Sequence, residues 1–426
     1  MPQICTPMVK LLKEGCLLDR GLLVPADILI DDAVIVDIAP EIIPSDDIPT
    51  VHLGGCFVSY GFADVHVHLR EPGFCHKETV RTGSLAAAAG GYTTVCAMPN
   101  LNPVPDSPET LAVEQEAIDR DAAVDVRPYC SITKGRAGRE LVDMAALKGS
   151  CVAFSDDGSG VQDEDMMRKA MTLAAREDCI IAAHCEDNTL LRGGYIHDGR
   201  WCAAHGHKGI CSESEWGQIA RDLKLAAETG VHYHVCHIST RESVDLIRKA
   251  KAAGVHVTCE TGPHYLVLCE DDLQEDGRFK MNPPLRSAED REALIEGIKD
   301  GTIDAIATDH APHSAEEKSR GLQGSAMGIV GLETAFPVLY TELVRKDVIS
   351  LEKLVSLLCG SPRSIFRLGG ALRPGQSADL TVIDLDREYV IDPAAFKSMG
   401  RSTPFASMTV KGKITHTMYK GEFVNI

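Results

Sequence analysis

Polar and apolar residues alternate at both ends of the chain and fall into longer mixed periods between them. From about Met8 to Phe57, short alternating runs such as "DILIDDAVIVDI" are broken by Gly, Pro and Asp, and the tail returns to this style in "SADLTVIDLD" and "MTVKGKITHTMYKGEFV". This pattern predicts β-strands without helical partners. In the middle, apolar runs end near His68, Pro99, Cys130, Ser155, His184, His237, Glu260 and Asp309. Segments of helical period separate them, among them "HKETVRTGSLAAAAGG", "MMRKAMTLAARED" and "EDREALIEGIKDG". Eight alternating β/α units over roughly 250 residues predict an α/β fold of the TIM-barrel type, with functional groups gathered at the C-terminal ends of the strands.

Composition narrows the function classes. At 426 residues the chain can bury a sizeable core. Its net charge of −19 gives no broad footprint for nucleic acid or anionic membrane, although a local basic site can still take a small anion. The opening "MPQICTPMVKLL" lacks the basic start and apolar stretch of a secretion signal, and no run of about 18 apolar residues occurs, so a cytoplasmic protein is expected. Fifteen cysteines, many inside apolar runs such as "TTVCAMP" and "YHVCHIS", read as reduced buried thiols.

The expected strand ends carry the chemistry. "DVHVHLREPG" puts His66, His68 and Arg70 on alternate positions, hence on one face. "CVAFSDDG" ends at Asp156 and Asp157, "IIAAHCEDN" presents His184, "YHVCHIS" presents His237, and "DAIATDH" presents Asp309. A lone histidine at a strand end is more often structural than ligating, but histidines and aspartates at five ends of one barrel point together to a metal centre. Imidazoles with a few carboxylates suit zinc or a similar divalent ion, and six ligands suit two ions sharing a carboxylate. Spacing alone leaves Asp156 and Asp157 both open as the shared group. His52, His197, His205 and His207 lack this placement and are read as structural.

The motifs "DVHVHLREPG", "GGYTTVCAMPN", "AFSDDG", "HCEDN", "VCHIST", "MNPPLR" and "TDHAPH" resemble those of the dihydroorotase family of amidohydrolases, most closely its class I bacterial branch. The resemblance spans nearly the whole chain. It implies a distorted (β/α)8 barrel, residues 58–370, with a small β-sandwich built from residues 1–57 and 371–426. It implies reversible cyclisation of N-carbamoyl-L-aspartate to L-dihydroorotate in pyrimidine synthesis, with one or two zinc ions per subunit, two expected. By that resemblance His66, His68 and Asp309 hold one ion, His184 and His237 the other, and Asp157 bridges them. Asp309 is also the implied acid/base.

The resemblance further implies substrate contacts from His68, Leu69, Arg70, Asn100, Asn282, His313, Met327 and Gly328. Met327 departs from the pattern, which usually has Phe before that glycine. Many related enzymes bridge their metals with a carboxylated lysine, but Lys148 and Lys169 fall before and well after the fourth strand. Rival readings are a dihydropyrimidinase, hydantoinase or allantoinase on the same barrel, or a non-catalytic partner of aspartate transcarbamoylase, whose mark would be lost ligands. A homodimer is the expected assembly, with association with aspartate transcarbamoylase as a further expected partnership. Ser314 to Gly328, "SAEEKSRGLQGSAMG", is the stretch expected to move over the site.

Overall fold

The computed structural model describes residues 9–45 and 47–426. Both chain ends feed one eight-stranded sheet. Val9–Asp19, Leu22–Asp31, Val34–Ala39, Thr50–His52 and Phe57–Tyr60 join Leu380–Val390, Thr409–Tyr419 and Glu422–Phe423. The two ends meet where Phe57–Tyr60 pairs antiparallel with Leu380–Val390, Tyr60 opposite Leu380. Alternation sends Leu12, Ile28, Ile30, Ile35, Val58, Leu380, Val382 and Met418 into one core. The strands expected in a small β-sandwich from both chain ends are hydrogen-bonded as one continuous sheet. Its far edge curls back so that Ile35 N donates to Gln376 O at 2.9 Å and Ala378 N to Ala33 O at 2.7 Å. Register shifts at Leu12/Gly15 and Leu29/Ile30 mark bulges, which increase the local twist of such a sheet.

Between the ends, parallel ladders form a ring. Phe62–Val67 pairs with Tyr92–Ala97, and that strand with Asp125–Pro128. Ile180–Ala183, His232–Val235, Val257–Thr261 and Ala305–Ile306 follow in order. Two gaps are closed by single bridges: Phe154 links Cys130 to Ile181, and Val67 links to His310. The fourth of the eight expected strands is therefore reduced to one bridged residue. Immediately after it, the Asp156 carboxylate accepts from Ile132 N at 2.8 Å and Thr133 N at 3.1 Å, so a side chain takes the place of further ladder bonds.

Helices cover the ring, and their starts are written locally. Thr79 caps Val80–Ala89, Ser107 caps Pro108–Asp121, Asp163 caps Glu164–Arg176 and Ser287 caps Ala288–Asp300. Glu164–Arg176 buries Met167, Ala170, Met171 and Ala174, one face of a 3.6-residue period. A second apolar cluster draws Val65, Cys96, Met98, Tyr129, Ala153, Ile180, Ala182, Cys236 and Ala307 from seven of the eight ring segments, with Phe366 against them. Val257–Thr261 contributes none of these. All described cysteines are free thiols, and no described helix is long and apolar enough to cross a membrane.

Arg363 ties ring, end sheet and C-terminal helix together. Its buried guanidinium donates to Gly61 O at 2.9 Å, Thr93 Oγ1 at 3.0 Å and Thr94 Oγ1 at 3.1 Å, and lies 4.7 Å from the Tyr60 ring centre. Arg363→Met would strand these acceptors. It should cost about 3 kcal/mol or more, seen as a lower urea midpoint; an unchanged midpoint would refute the role.

Candidate active site

The candidate residues sit where the ring strands run out. His66 lies within Phe62–Val67 and His68 just beyond it; His184 follows Ile180–Ala183; His237, Asp157 and Asp309 stand two or three residues past the ends of His232–Val235, the Phe154 bridge and Ala305–Ile306. All six side chains are buried. The Asp64 carboxylate accepts from His66 N at 3.1 Å and Thr308 N at 3.2 Å, locking the first segment to the eighth. His68 N donates to His310 O at 2.8 Å, so the strand carrying the histidines and the one carrying Asp309 are held in register.

Donor atoms of these six converge. Asp157 Oδ1 lies 3.4 Å from His66 Nε2, 3.8 Å from His184 Nδ1 and 3.7 Å from His237 Nε2, while its Oδ2 lies 3.7 Å from His68 Nε2. Asp309 Oδ1 is 3.1 Å from His68 Nε2 and 3.6 Å from His66 Nε2. His184 Nδ1 and His237 Nε2 are 3.0 Å apart. Two ligand atoms on one zinc ion, each about 2.0–2.2 Å from it at a tetrahedral angle, stand about 3.3–3.6 Å apart, so these are the edges of ion-sized polyhedra. Asp157 belongs to both groupings, His66–His68–Asp157 and Asp157–His184–His237. Asp157 Oδ1 and His66 Nε2 find no hydrogen-bond partner although buried, as expected of atoms facing a cation. The donor set fits a pair of divalent ions.

Charge points the same way. Burial opposes ionisation of Asp157 and Asp309, yet the surrounding histidines hold both well below the ordinary carboxylate range. Burial, then Arg70, brings His68 down to about 4, leaving a neutral imidazole. Asp156 is turned away, its carboxylate spent on Ile132, Thr133 and the Thr133 hydroxyl. Of the two aspartates left open by spacing, Asp157 is the one brought to the histidines. Lys148 pairs with Glu177 at 3.1 Å, and Lys169 is exposed on its helix.

The candidate substrate contacts rim this centre. Arg70 Nε donates to Pro312 O at 3.3 Å, and its terminal NH2 groups make no hydrogen bond among the described residues. Asn100 Nδ2 donates to Asp157 O at 3.0 Å and Asn282 Nδ2 to Glu186 Oε1 at 2.9 Å, leaving the buried Oδ1 of each unpartnered. Leu69 is buried in the ring core, packed toward Gly83. His313 Nε2 donates to Met327 O at 2.8 Å, so Met327 meets this wall through its backbone. Gly328 follows at φ 132°, and a Cβ there would lie 2.6 Å from Ala311 O, so only glycine fits. The segment expected to move is pinned from below: Lys318 Nζ donates to Lys280 O at 3.0 Å, Ala326 O at 2.8 Å and Gly328 O at 2.7 Å.

Other groups at the site escaped the sequence reading. Glu186 Oε2 lies 3.7 Å from His184 Nε2 while its other oxygen holds Asn282, joining a candidate ligand to a candidate substrate contact. Its position two residues after His184 in "HCEDN" was a usable signal. Arg136 NH2 binds Asp157 O and reaches Ser159 Oγ at 3.1 Å, steadying the loop that presents Asp157; nothing in its local sequence marks this. A cavity of about 1060 Å³ opens elsewhere, at the N-terminal mouth of the ring, but its charges are largely paired, Arg127 with Asp125 at 2.8 Å and Arg367 with Asp178 at 2.7 Å.

His313 gives a pH test. Burial, then Arg70 and Lys77, push it down to about 3 against an ordinary value of 6.5. The unfolded chain therefore takes up a proton that the folded chain refuses, and stability falls as pH drops from about 6.5 toward 3. By linkage the loss approaches about 2 kcal/mol at pH 5. His313→Gln, which can still donate to Met327 O, should lose less stability than the parent between pH 7 and pH 5 in urea titrations; equal losses would refute the assignment.

Known proteins of similar sequence and fold identify the family. A family model described as dihydro-orotase-like matches residues 55–243. Dihydroorotase of Bacillus cytotoxicus is 50% identical over 418 residues, 97% of each chain, and that of Bacillus cereus 51% over 407 residues, 95% of each. Among solved structures, L-hydantoinase (dihydropyrimidinase) from Arthrobacter aurescens superposes with a TM-score of 0.87 at 28% identity, covering 97% of this chain and 95% of its own. Dihydropyrimidinase from Brevibacillus agri, at 23% identity and a TM-score of 0.85 over 98% and 95%, shares the fold. With half its residues identical to curated relatives over nearly their full length, the chain belongs to the dihydroorotase family.

Proposed function

We propose that this enzyme interconverts N-carbamoyl-L-aspartate and L-dihydroorotate at the C-terminal mouth of a distorted (β/α)8 barrel, with two zinc ions shared through Asp157. The observation that carries the substrate assignment is Arg70: a guanidinium with its terminal groups uncommitted, two residues along the same segment from His68. The dihydroorotase relatives support the reaction. On this reading the barrel spans residues 58–370, and the end sheet takes the described residues up to 57 together with 371–426, with Phe57–Tyr60 straddling the first boundary.

His66, His68, Asp157 and Asp309 would hold one ion and His184, His237 and Asp157 the other. Ions held there supply Lewis acidity, which lowers the pKa of water toward neutrality and draws electrons from an amide carbonyl. The chain does the rest. Asp309 turns Oδ1 toward His66 and His68, leaving Oδ2 to take the proton of the attacking water and deliver it to the leaving ring nitrogen; cyclisation runs the transfer backward. Arg70 grips the substrate carboxylate through two parallel N–H bonds. The free Oδ1 atoms of Asn100 and Asn282 accept from ring or ureido N–H groups. His313 reaches substrate by releasing Met327 O, and the backbone at Met327 and Gly328 walls the ring.

Chelation should abolish turnover, and zinc alone should restore it. Because an aspartate carboxylate needs no carbon dioxide to form, reconstitution should proceed equally without bicarbonate. Metal analysis of Asp157→Ala should find loss of about one zinc equivalent. Full activity in protein shown to be metal-free, or strict bicarbonate dependence, would overturn this centre.

Dihydroorotate exceeds dihydrouracil by one carboxylate, and the half-buried Arg70 guanidinium is left without that partner by dihydrouracil, so the parent should prefer dihydroorotate by roughly a thousandfold. Arg70→Met should collapse kcat/KM for dihydroorotate while metal content stays unchanged. Parallel spectrophotometric assays of dihydroorotate, dihydrouracil and allantoin test both. A parent that favours dihydrouracil, or a variant with near-normal turnover of dihydroorotate, moves the hydantoinase-like reading to the front.

A further inference from the structure

A chain of polar side chains runs through the interior of the ring toward the candidate metal centre. His66 Nδ1 meets Glu260 Oε1 at 2.9 Å; Glu260 Oε2 meets His234 Nε2 at 3.1 Å; His234 Nδ1 meets Thr258 Oγ1 at 2.8 Å; and that hydroxyl meets His232 Nε2 at 3.0 Å. His66, His234 and Glu260 are fully buried. Thr258 pairs with His234 across the parallel ladder, and the two-residue period puts Glu260 on the same face as Thr258 and His232 on the same face as His234. Val257–Thr261 gives no apolar residue to the interior cluster that the other seven segments share.

The hydrogens of this chain follow once Glu260 is ionised and the His66 and His234 rings are neutral, the state in which His66 can ligate an ion. An ionised Glu260 only accepts, so both imidazole nitrogens facing it carry protons. A neutral His234 protonated at Nε2 has a lone pair at Nδ1 and must accept the Thr258 hydroxyl. That hydroxyl has one proton, so its oxygen accepts from His232 Nε2–H. At the other end His66 is fixed with its proton on Nδ1. Nε2, the nitrogen 3.4 Å from Asp157 Oδ1, is left as a lone pair pointed where an ion would sit.

We propose that Glu260 is a positioning residue for metal binding: it sets the tautomer and ring orientation of His66, and His234 and Thr258 hold Glu260 in the state that does so. This rests on the reading of His66 as a ligand. A carboxylate behind a ligating histidine fixes the ring and raises its basicity, and removing such a partner typically weakens metal binding about 10- to 100-fold. Cys236 lies in the same grouping as His66 and Glu260, but only Glu260 also bonds His234.

The test is Co2+ binding, measured by competition with a chelator and by the visible absorption of the bound ion, on parent, Glu260→Gln, Thr258→Val and His66→Ala. Glutamine keeps the shape but turns an NH2 toward one of the two imidazoles, which forces a tautomer change or a lost bond. E260Q should weaken one Co2+ equivalent about tenfold or more and shift its absorption, with the far-UV spectrum unchanged. Thr258→Val, remote from the ions and close in shape, should weaken the same equivalent at least threefold, and it carries the test if E260Q fails to fold. Parent-like affinity and absorption in a folded E260Q, or in T258V where E260Q does not fold, overturns the proposal. If His66→Ala itself binds Co2+ like the parent, the failure lies with the ligand reading of His66 instead.

Discussion

The structure turns on one buried carboxylate with more neighbours than it can satisfy through hydrogen bonds. Asp157 faces four imidazoles across 3.4–3.8 Å, and Asp309 faces two of the same rings. Burying two carboxylates and four imidazoles with several donor atoms unpartnered is costly unless a cation sits among them. Positive charge among these donors offsets that cost, so the pocket and the ring that shapes it share one electrostatic requirement.

Meeting that requirement strains the backbone. Arg70, His237 and Asp309 occupy the left-handed region at φ 61°, 33° and 49°, although none is glycine. Each such residue costs on the order of 1–3 kcal/mol and persists only where its surroundings enforce it. Those surroundings are visible: Asp64 bonded to both His66 N and Thr308 N, and Arg363 clasping Gly61, Thr93 and Thr94. Rigid ring closure supplies what lets the strand ends turn sharply inward.

The groups around the candidate metal centre divide by charge state. Asn100 Oδ1 and Asn282 Oδ1 remain without hydrogen-bond partners, and the terminal NH2 groups of Arg70 remain uncommitted among the described residues. A substrate with a carboxylate at one end and N–H groups on its ring matches that layout better than an uncharged ring does. Glu186 and Glu260 lie beside His184 and His66 at 3.7 Å and 2.9 Å, each on the ring nitrogen that does not face Asp157.

Much of this was legible in the residues themselves. Periodicity marked the eight ring segments, because an interior strand must bury both faces and reads as an apolar run, and it marked the end strands by their alternation. The six candidate ligands were legible because the C-terminal strand ends of such a ring all face one mouth, so His66, His184, His237 and Asp309 declare themselves by position. Tertiary structure alone decided what depends on side-chain direction. It turned Asp156 to Thr133 and Asp157 to the histidines, which neighbouring residues of the same type cannot announce. It cut the fourth strand to a bridge and joined strands of both chain ends in one sheet, since both outcomes hang on long-range hydrogen bonds. It also brought Arg136 to Asp157 and Glu260 to His66, 194 positions away in sequence, because a ring brings together side chains that no local pattern connects.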